Sequence, residues 1–342
     1  MRRKSLIVKL GAIGDIAMVL PAARQLYESG SEIDWLCGKS VAPLLDCYDW
    51  LRPIVVDDAK LLRGGRVKAA LEMIRVWKRL TGSTYEQCAV LAYDPRYQLL
   101  TLPVRAKKKI ALGKADRRFQ LVSERQHTAE YARILCGWKD ECRWENLVPI
   151  VPDRLPTNPL GKSDRVRIAL VPGGARNLVR DNPLRRWPLE SYVALAKMLV
   201  KKGYEVVLVG GPEDGWVRSA FAEVLVIDCI GRWTLPELLA FFSSCDCVVT
   251  HDTGPMHLAG LVDCGIVAIF GPTAPSKFLP RRKGVVGLWG GERMPCRPCY
   301  DGRDYAPCRS NDCMKQISAT RTAEAVEVVL ADPHLEWEIV TL

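Results

Sequence analysis

Apolar residues along the chain alternate between short runs typical of buried strands and longer runs with helical spacing. In the first hundred positions, strands are predicted at 5–10, 32–38, 54–58 and 87–94, and a helix at 16–30. Strands joined through helices imply right-handed crossovers and a parallel sheet. The pattern therefore predicts an α/β domain in this half of the chain.

A second alternation of the same kind follows a segment without periodicity. Residues 151–165 are rich in Pro, Gly and polar side chains, which is typical of a linker. After it, strands are predicted to begin at 166, 204, 247 and 266, with helices at 189–203, 234–245 and 318–333. The chain is thus predicted to form two doubly wound domains, 1–155 and 166–325, with a cleft between them and a tail at 326–342.

Residues 60–82 combine apolar positions at helical spacing with interleaved Arg and Lys. The simpler interpretation is a helix with one face on the core and a basic face in solvent. A helix lying on a membrane surface is the alternative.

Charge is distributed unevenly along the chain. The formal net charge is +10, and residues 1–150 carry +9 of it. Such asymmetry favours an anionic partner of this half, either nucleic acid, an anionic membrane or a phosphorylated substrate. A basic surface that only confers solubility is the alternative.

The location is predicted from three features of the sequence. No run of 18 apolar residues is present, so no transmembrane helix is expected. The N-terminus superficially resembles a signal peptide, but Lys9 and Asp15 interrupt its apolar region. Most of the 13 cysteines are scattered in or beside apolar runs. We therefore expect a cytoplasmic protein.

Candidate binding residues follow several predicted strands of the second half. Turns with Gly or small polar residues lie at 172–176, 210–214, 252–254 and 270–273. Ligands of open α/β sheets bind beyond the carboxyl ends of the strands, where helix N-termini attract anions. These turns indicate a nucleotide site, although neither the P-loop pattern nor G-x-G-x-x-G is present. Helix capping by Asp252 and Thr253 is the alternative.

The first predicted strand ends in KLGAIGD, which contains Lys9, Gly11, Gly14 and Asp15. The two glycines leave room for a ligand. Asp15 opens a helix, where a carboxylate interacts favourably with the helix dipole. If it faces a cleft, the same carboxylate can instead accept a proton as a general base.

Two long stretches resemble glycosyltransferase family 9, the lipopolysaccharide heptosyltransferases. LIVKLGAIGDIAMVLPAARQL resembles the opening of that family, and VVTHDTGPMHLAGLVDCGIVAIFGPTAPSKF resembles its donor-site signature. The resemblance implies a GT-B fold of two Rossmann-like domains, the first for the acceptor and the second for the nucleotide-sugar. It also implies an inverting, metal-independent transfer of a heptose or related sugar that needs no cofactor.

The resemblance implies ADP-heptose as the donor and a lipopolysaccharide inner-core or similar anionic glycolipid as the acceptor. The basic N-terminal half fits such an acceptor at the inner face of the membrane, where peripheral contact with anionic lipid is expected. No nucleic acid is expected as a partner.

The resemblance also assigns roles to residues. Asp15 matches the proposed catalytic base, with Lys9 and Gly14 on the acceptor side. The implied donor-binding residues are Gly173, Gly174, Arg185, Arg186, Gly211, Glu213, Asp252, Thr253, Gly254 and His257. Arg185 stands where the family commonly has Lys, and the turn at Gly173 has one Gly more than the family's P-G-A-R, which changes the detailed contacts.

Four cysteines near the end of the chain form the pattern C-x2-C-x8-C-x4-C. Cys296, Cys299, Cys308 and Cys313 have the residue type and approximate spacing of a structural Zn or Fe site. Free thiols and labile disulfides are the alternatives.

Two other functions fit part of the sequence. A GT-B sugar-nucleotide epimerase would use the donor site without an acceptor. A nucleic-acid-binding protein would use the basic half and a four-cysteine knuckle, but the turn at 252–254 would then have no purpose.

Overall fold

The computed structural model describes residues 3–113, 119–122, 125–137, 150–176, 181–300 and 304–342. These residues form two compact units, Met1–Arg154 and Leu155–Leu342. Each unit contains one parallel sheet flanked by helices. In the described part of the chain, no helix has the length and hydropathy that a bilayer crossing requires.

The first unit contains a five-stranded sheet. Its strands are β1 (Arg3–Val8), β2 (Ser31–Gly38), β3 (Leu51–Val56), β4 (Thr84–Val90) and β5 (Arg105–Ala111), in the order β3-β2-β1-β4-β5. Its helices are α1 (Ile13–Glu28), α2 (Ala42–Leu45), α3 (Asp58–Arg63), α4 (Gly65–Leu80), α5 (Pro95–Leu99) and α6 (His127–Cys136). Every pairing in the sheet is parallel, as the alternation of strands and helices predicts.

The second unit contains a seven-stranded parallel sheet in the order β12-β11-β10-β9-β6-β7-β8. The strands are β6 (Arg167–Val171), β7 (Glu205–Leu208), β8 (Ile227–Asp228), β9 (Cys247–His251), β10 (Gly265–Phe270), β11 (Val285–Trp289) and β12 (Glu338–Thr341). The helices are α7 (Leu189–Lys201), α8 (Leu235–Phe242), α9 (Gly254–Ala259), α10 (Pro275–Phe278), α11 (Asp312–Lys315) and α12 (Ala319–Ala331), with 3-10 turns at Pro183–Arg185 and Pro212–Phe221.

Burial on both faces of the sheet explains why the central strands of the second unit were predictable. All five residues of β6 and of β9 are buried, and so are five of the six in β10. Strands covered on both faces appear in sequence as continuous apolar runs. The carboxyl ends of these strands carry the turns from which the sequence predicts a nucleotide site.

The C-terminal residues 326–342, predicted as a tail, are part of the second unit. They contain the end of α12 and the edge strand β12, in which Ile339 and Val340 pair with Gly287 and Leu288 of β11. A four-residue edge strand has too few positions for its alternation to be recognised in sequence.

Candidate functional site

In the first unit, a lysine, an aspartate and a tyrosine meet where β1 ends. The Nζ atom of Lys9 lies 3.3 Å from Oδ2 of Asp15 and donates a hydrogen bond of 3.4 Å to the Tyr131 hydroxyl. The Tyr131 hydroxyl donates in turn to Oδ1 of Asp15 at 3.5 Å. The Lys9 side chain is buried, whereas that of Asp15 is 35% exposed. The Asp15 carboxylate is thus held by two side chains and still reaches solvent.

The charges in this cluster are defined by its surroundings. Burial disfavours the ammonium of Lys9, but Asp15 and Tyr131 outweigh that effect and raise the pKa of Lys9. Burial raises the pKa of Tyr131 to about 12, although Lys9 opposes it. At neutral pH, Lys9 is therefore a cation and Tyr131 a neutral hydroxyl.

The structure also shows that Asp15 interacts with the start of α1, as the sequence suggests. Its Oδ2 accepts a hydrogen bond of 3.2 Å from the backbone N–H of Ala12, so it closes the first turn of α1. Gly14 is buried in the same turn. Tyr131, which lies on α6, has no signal in the sequence because only tertiary packing brings α6 beside α1.

In the second unit, Asp252 lies just beyond β9 and its carboxylate is buried. Oδ1 is 2.8 Å from Nη2 of Arg185, and Oδ2 accepts a hydrogen bond of 2.7 Å from the hydroxyl of Thr273. Burial alone would raise the pKa of Asp252, but Arg185, His257 and Thr273 together lower it. Asp252 is therefore an ionised, buried partner of Arg185.

The two predicted donor-site residues Arg185 and Asp252 thus bind each other. The pKa of Arg185 is raised, because Asp252 and Tyr305 outweigh the effect of burial. Within the described residues, the Nε atom of Arg185 is buried and has no hydrogen-bond partner. That N–H remains as a donor for an anionic ligand.

Helix capping does not explain the turn at 252–254. Thr253 is the N-cap residue of α9, but its side chain makes no capping hydrogen bond. Its hydroxyl oxygen instead accepts a hydrogen bond of 2.9 Å from the backbone N–H of Ala175. Gly254 opens α9 and His257 is buried within it. The turn after β9 is therefore tied to the turn after β6.

A second carboxylate joins two further turns. Asp214 accepts hydrogen bonds from the backbone N–H of Gly174 at 2.7 Å and of Gly211 at 2.8 Å. A Cβ atom at Gly173 would lie 2.3 Å from Cγ of Asp214, so only Gly fits at that position. Asp252, Thr253 and Asp214 thus fix the turns after β6, β7 and β9 relative to one another.

An open pocket of about 240 Å³ lies beside these turns. It is lined by Arg176, Asp181, Arg186, Glu213, Asp214 and Trp216. Glu213 is exposed and forms an ion pair with Arg176 at 3.2 Å, unlike the buried Asp214 next to it. Residues 177–180, which belong to the same loop, lie outside the described residues.

The pocket offers a cation and an aromatic ring side by side. The Arg186 guanidinium lies 5.5 Å from the centre of the half-exposed Trp216 ring, and its Nε donates to the Gly174 carbonyl at 3.0 Å. Such a pair can hold an aromatic base and a phosphate together. The sequence predicts Arg186 but not Trp216, since a lone Trp in a 3-10 turn carries no pattern.

A neutral histidine lies directly beneath this region. His251 ends β9, and its Nδ1 is 3.1 Å from the hydroxyl of Tyr192. Burial, with a smaller contribution from Arg185, lowers the pKa of His251 to about 3. The ring is therefore uncharged over the physiological pH range.

The cysteine cluster lies against the turn after β10. The backbone N–H of Cys299 donates to the Pro272 carbonyl at 3.0 Å, and Cys296 and Cys308 are exposed. Burial and the neighbouring thiols raise the pKa of Cys313 to about 11. In the part of the chain that the structure describes, no group of three or more His, Cys, Asp or Glu is arranged to hold a metal ion.

Comparison with protein-family models finds a match in the second half of the chain. Residues 151–308 match the model of glycosyltransferase family 9 (heptosyltransferase).

Two curated relatives match about a third of the chain. Lipooligosaccharide heptosyltransferase 2 of Haemophilus influenzae is 39% identical over 124 residues, which cover 34% of this chain and 36% of that protein. Lipopolysaccharide heptosyltransferase 2 of Escherichia coli is 32% identical over 128 residues, which cover 34% of each. The matched regions thus span about a third of the length of these relatives.

Solved structures match the fold along nearly the whole chain. A family 9 glycosyltransferase from Veillonella parvula has a TM-score of 0.75 at 20% identity and covers 96% of this chain and 97% of that one. The E. coli ADP-heptose heptosyltransferase II has a TM-score of 0.68 at 19% identity, with coverage of 96% and 98%. The two parallel-sheet α/β units therefore have the GT-B fold of these proteins.

Proposed function

We propose that the protein, whose residues 151–308 match the glycosyltransferase family 9 model, transfers a heptose or a related sugar from a nucleotide diphosphate donor to a glycan acceptor. ADP-heptose is the proposed donor, and a lipopolysaccharide inner-core glycolipid is the proposed acceptor. The observation that carries the proposal is the joining of three strand-end turns beside a pocket lined by Arg176, Arg186 and Trp216.

The pocket of the second unit suits the nucleotide half of the donor. The ring of Trp216 offers a stacking surface for the base, and the exposed carboxylate of Glu213 can accept hydrogen bonds from ribose hydroxyls. Arg186 stands beside the ring, where its guanidinium can neutralise phosphate charge. Gly174 and Gly211 bring the backbone close to the ligand in this arrangement.

The leaving diphosphate needs stabilisation of its developing charge. Since α9 has only six residues, its dipole is short, and guanidinium groups must supply more of that stabilisation. Arg186 and the Nε–H of Arg185, which has no partner among the described residues, are the donors that we assign to this role. Asp252 orients Arg185 and does not touch the sugar in this proposal.

The acceptor hydroxyl is activated in the first unit. Asp15 removes its proton, and the oxygen attacks the anomeric carbon on the face opposite the diphosphate, which inverts the configuration there. Lys9 and Tyr131 hold the Asp15 carboxylate in place. Fixed guanidinium groups replace a metal ion in this scheme, so the transfer should persist in EDTA.

A measurement of ADP release tests this function. The protein is incubated with ADP-heptose, with and without a truncated inner-core acceptor, and the product anomer is determined. We expect acceptor-dependent ADP release that falls at least a hundredfold in Asp15→Asn. Asp49→Asn is the matched control, because that exposed carboxylate also pairs with a cation.

Three outcomes would contradict parts of the proposal. Acceptor-independent conversion of the donor would support an epimerase. Full activity of Asp15→Asn would remove Asp15 from its role. Salt-sensitive binding of nucleic acid without turnover would support the nucleic-acid-binding alternative.

For the cysteine cluster, we propose a structural Zn or Fe ion that plays no part in the transfer. Four thiols within the segment 296–313 supply suitable donors, although their arrangement in the structure does not yet form a site. A solved glycosyltransferase of the same fold, TibC of E. coli, is described as iron-containing, with a TM-score of 0.60 at 13% identity. Elemental analysis of the purified protein and of Cys296→Ser with Cys299→Ser tests this, and equal metal content would contradict it.

The proposed donor and acceptor place the reaction in the cytoplasm, at the inner face of the membrane. Fractionation of cells that produce the protein tests this location.

A further inference from the structure

Helix α4 of the first unit has apolar residues on two opposite faces. Val76 and Leu80 belong to the core, as one amphipathic face requires. Val67, Leu71 and Ile74 share the opposite face and are 74%, 63% and 44% exposed. We call these three residues the apolar stripe. Solvated helix faces of ordinary proteins are polar, so this stripe needs a partner.

Basic side chains flank the apolar stripe. Helix α4 contains Arg66, Lys68, Arg75, Lys78 and Arg79, and Glu72 is its single acidic residue. Glu72 is buried and ion-paired with Arg75, so it does not offset the other charges at the surface. Lys78 continues the line of the stripe, four positions after Ile74, and Lys68, Arg75 and Arg79 lie along one side of it. The outer side of α4 thus combines an apolar stripe with adjoining cations.

A neighbouring segment also exposes apolar side chains. The indole N–H of Trp77 donates a hydrogen bond of 2.9 Å to the carbonyl of Leu99, which fixes the end of α5 beside α4. Leu99 and Leu102 are themselves 43% and 62% exposed. Five large apolar side chains are therefore exposed in two adjoining segments of the first unit.

We propose that the apolar stripe docks on an anionic phospholipid bilayer, with α4 lying in the plane of the interface. An apolar face with Lys and Arg at its margins matches the acyl region and the anionic headgroups of such a surface at the same time. A purely acidic surface would satisfy the cations but leave the stripe without an apolar counterpart. The inference deepens the proposed function and rests on it in one respect, since a glycolipid acceptor lies in a bilayer.

Vesicle flotation of the full-length protein tests the docking. The probes are vesicles of phosphatidylglycerol with phosphatidylethanolamine and vesicles of phosphatidylcholine alone. We expect the protein to float with the anionic vesicles, to float less as salt is raised, and to remain free of the neutral ones. Leu71→Gln with Ile74→Gln should weaken partitioning by about tenfold or more. Lys78→Glu with Arg79→Glu should weaken it by about tenfold or more and reduce its salt dependence.

The matched control is Leu225→Gln, which removes a side chain that is 82% exposed in the second unit and should not change flotation. Circular dichroism of each variant establishes that it is folded. Absence of flotation by the wild type, or unchanged flotation of the Leu71→Gln, Ile74→Gln variant, would overturn the proposal. So would a change from dimer to monomer in that variant with flotation unchanged, because the stripe would then cover a second copy.

Turnover separates this inference from the proposed function. ADP release with a delipidated inner-core oligosaccharide should be the same in the wild type and in the α4 variants. A protein that floats but releases no ADP would overturn only the proposed function. A protein that releases ADP but does not float would overturn only the docking.

Discussion

Arg185 and Asp252 form an ion pair with an Nη2–Oδ1 distance of 2.8 Å, in which the carboxylate is 2% exposed. The pair connects the 3-10 turn before α7 with the end of β9, and Thr273 holds the second carboxylate oxygen. Asp252 therefore positions Arg185, the residue that we expect to contact the donor phosphates. Because Asp252 fixes one end of the Arg185 guanidinium, it also orients the remaining N–H groups of that side chain.

Removing the cation of this pair should destabilise the protein. Arg185→Met leaves the Asp252 carboxylate buried without its partner, which should lower the free energy of unfolding by about 3 kcal/mol. Urea denaturation measures the change. Arg321→Met is the control, since its exposed pair with Glu324 should contribute less than about 1 kcal/mol. Equal losses in the two variants would show that the buried pair has no special role.

The Trp216 ring should contribute to nucleotide affinity. Trp216→Ala should weaken ADP binding by about tenfold, because loss of stacking on a base costs roughly 1–3 kcal/mol. Trp216→Phe should retain most of the affinity. Calorimetric titration with ADP gives both values. Trp337→Ala is a matched control, since this tryptophan of the second unit also lies under an arginine, Arg281, and unchanged ADP affinity in Trp216→Ala would contradict the assignment.

Lys9 should act on the reaction through Asp15. In Lys9→Met the Asp15 carboxylate loses its cation, and kcat should fall about tenfold to a hundredfold because the base is misplaced. The KM for the donor should stay constant, since the proposed donor-binding residues lie in the second unit. Lys4→Met, which removes an exposed lysine of β1 paired with Glu32, is the control. A rise in donor KM without a change in kcat would place Lys9 in donor binding instead.

His251 should make the protein sensitive to mild acid. Its pKa is about 3 in the folded state, whereas an unfolded chain has a value of about 6.5. The unfolded state therefore binds the extra proton as pH falls from 6.5 to 3, and the free energy of unfolding should decrease by about 1.4 kcal/mol per pH unit. Denaturation between pH 7 and pH 5, roughly the upper part of this window, measures the slope.

His251→Gln should lose this slope, and His334→Gln, which changes an exposed histidine, should keep it. The range from pH 7 to pH 5 is informative because the carboxylates of the unfolded chain titrate mainly below about pH 5. An identical slope in the wild type and in His251→Gln would assign the acid sensitivity to other groups.

The predictability of the strands follows their position in the sheets. Strands β1, β6, β9 and β10 appear in the sequence as apolar runs because both of their faces are covered. Strand β5 has the sequence RAKKKIA, and its exposed lysines hide its alternation. Strand β5 is hard to recognise in the sequence because it lies at the edge of the sheet. Its pairing is not weak, since six of its residues pair with β4.

The turns of the candidate site could be predicted from the sequence, but the contacts between them could not. Gly and small polar residues after buried strands indicate where a ligand binds, since that rule depends only on chain order. The pairing of Arg185 with Asp252 and the joining of two turns by Asp214 depend on how distant segments approach. The sequence did not indicate Tyr131 or Trp216 for the same reason. Tyr131 contacts Asp15 and Trp216 lies beside Arg186, and in both cases the neighbour is on another element.

Asp214 bonds to the backbone at Gly174 and Gly211 while lying against Gly173, so these positions are not free to vary one at a time. A larger residue at 173 displaces the carboxylate, and a shorter residue at 214 leaves the backbone N–H groups of Gly174 and Gly211 without this acceptor. Evolution of the proposed nucleotide pocket should therefore proceed through paired substitutions. Engineering of donor preference should likewise leave residues 173 and 214 unchanged and vary Glu213 and Trp216, which face solvent.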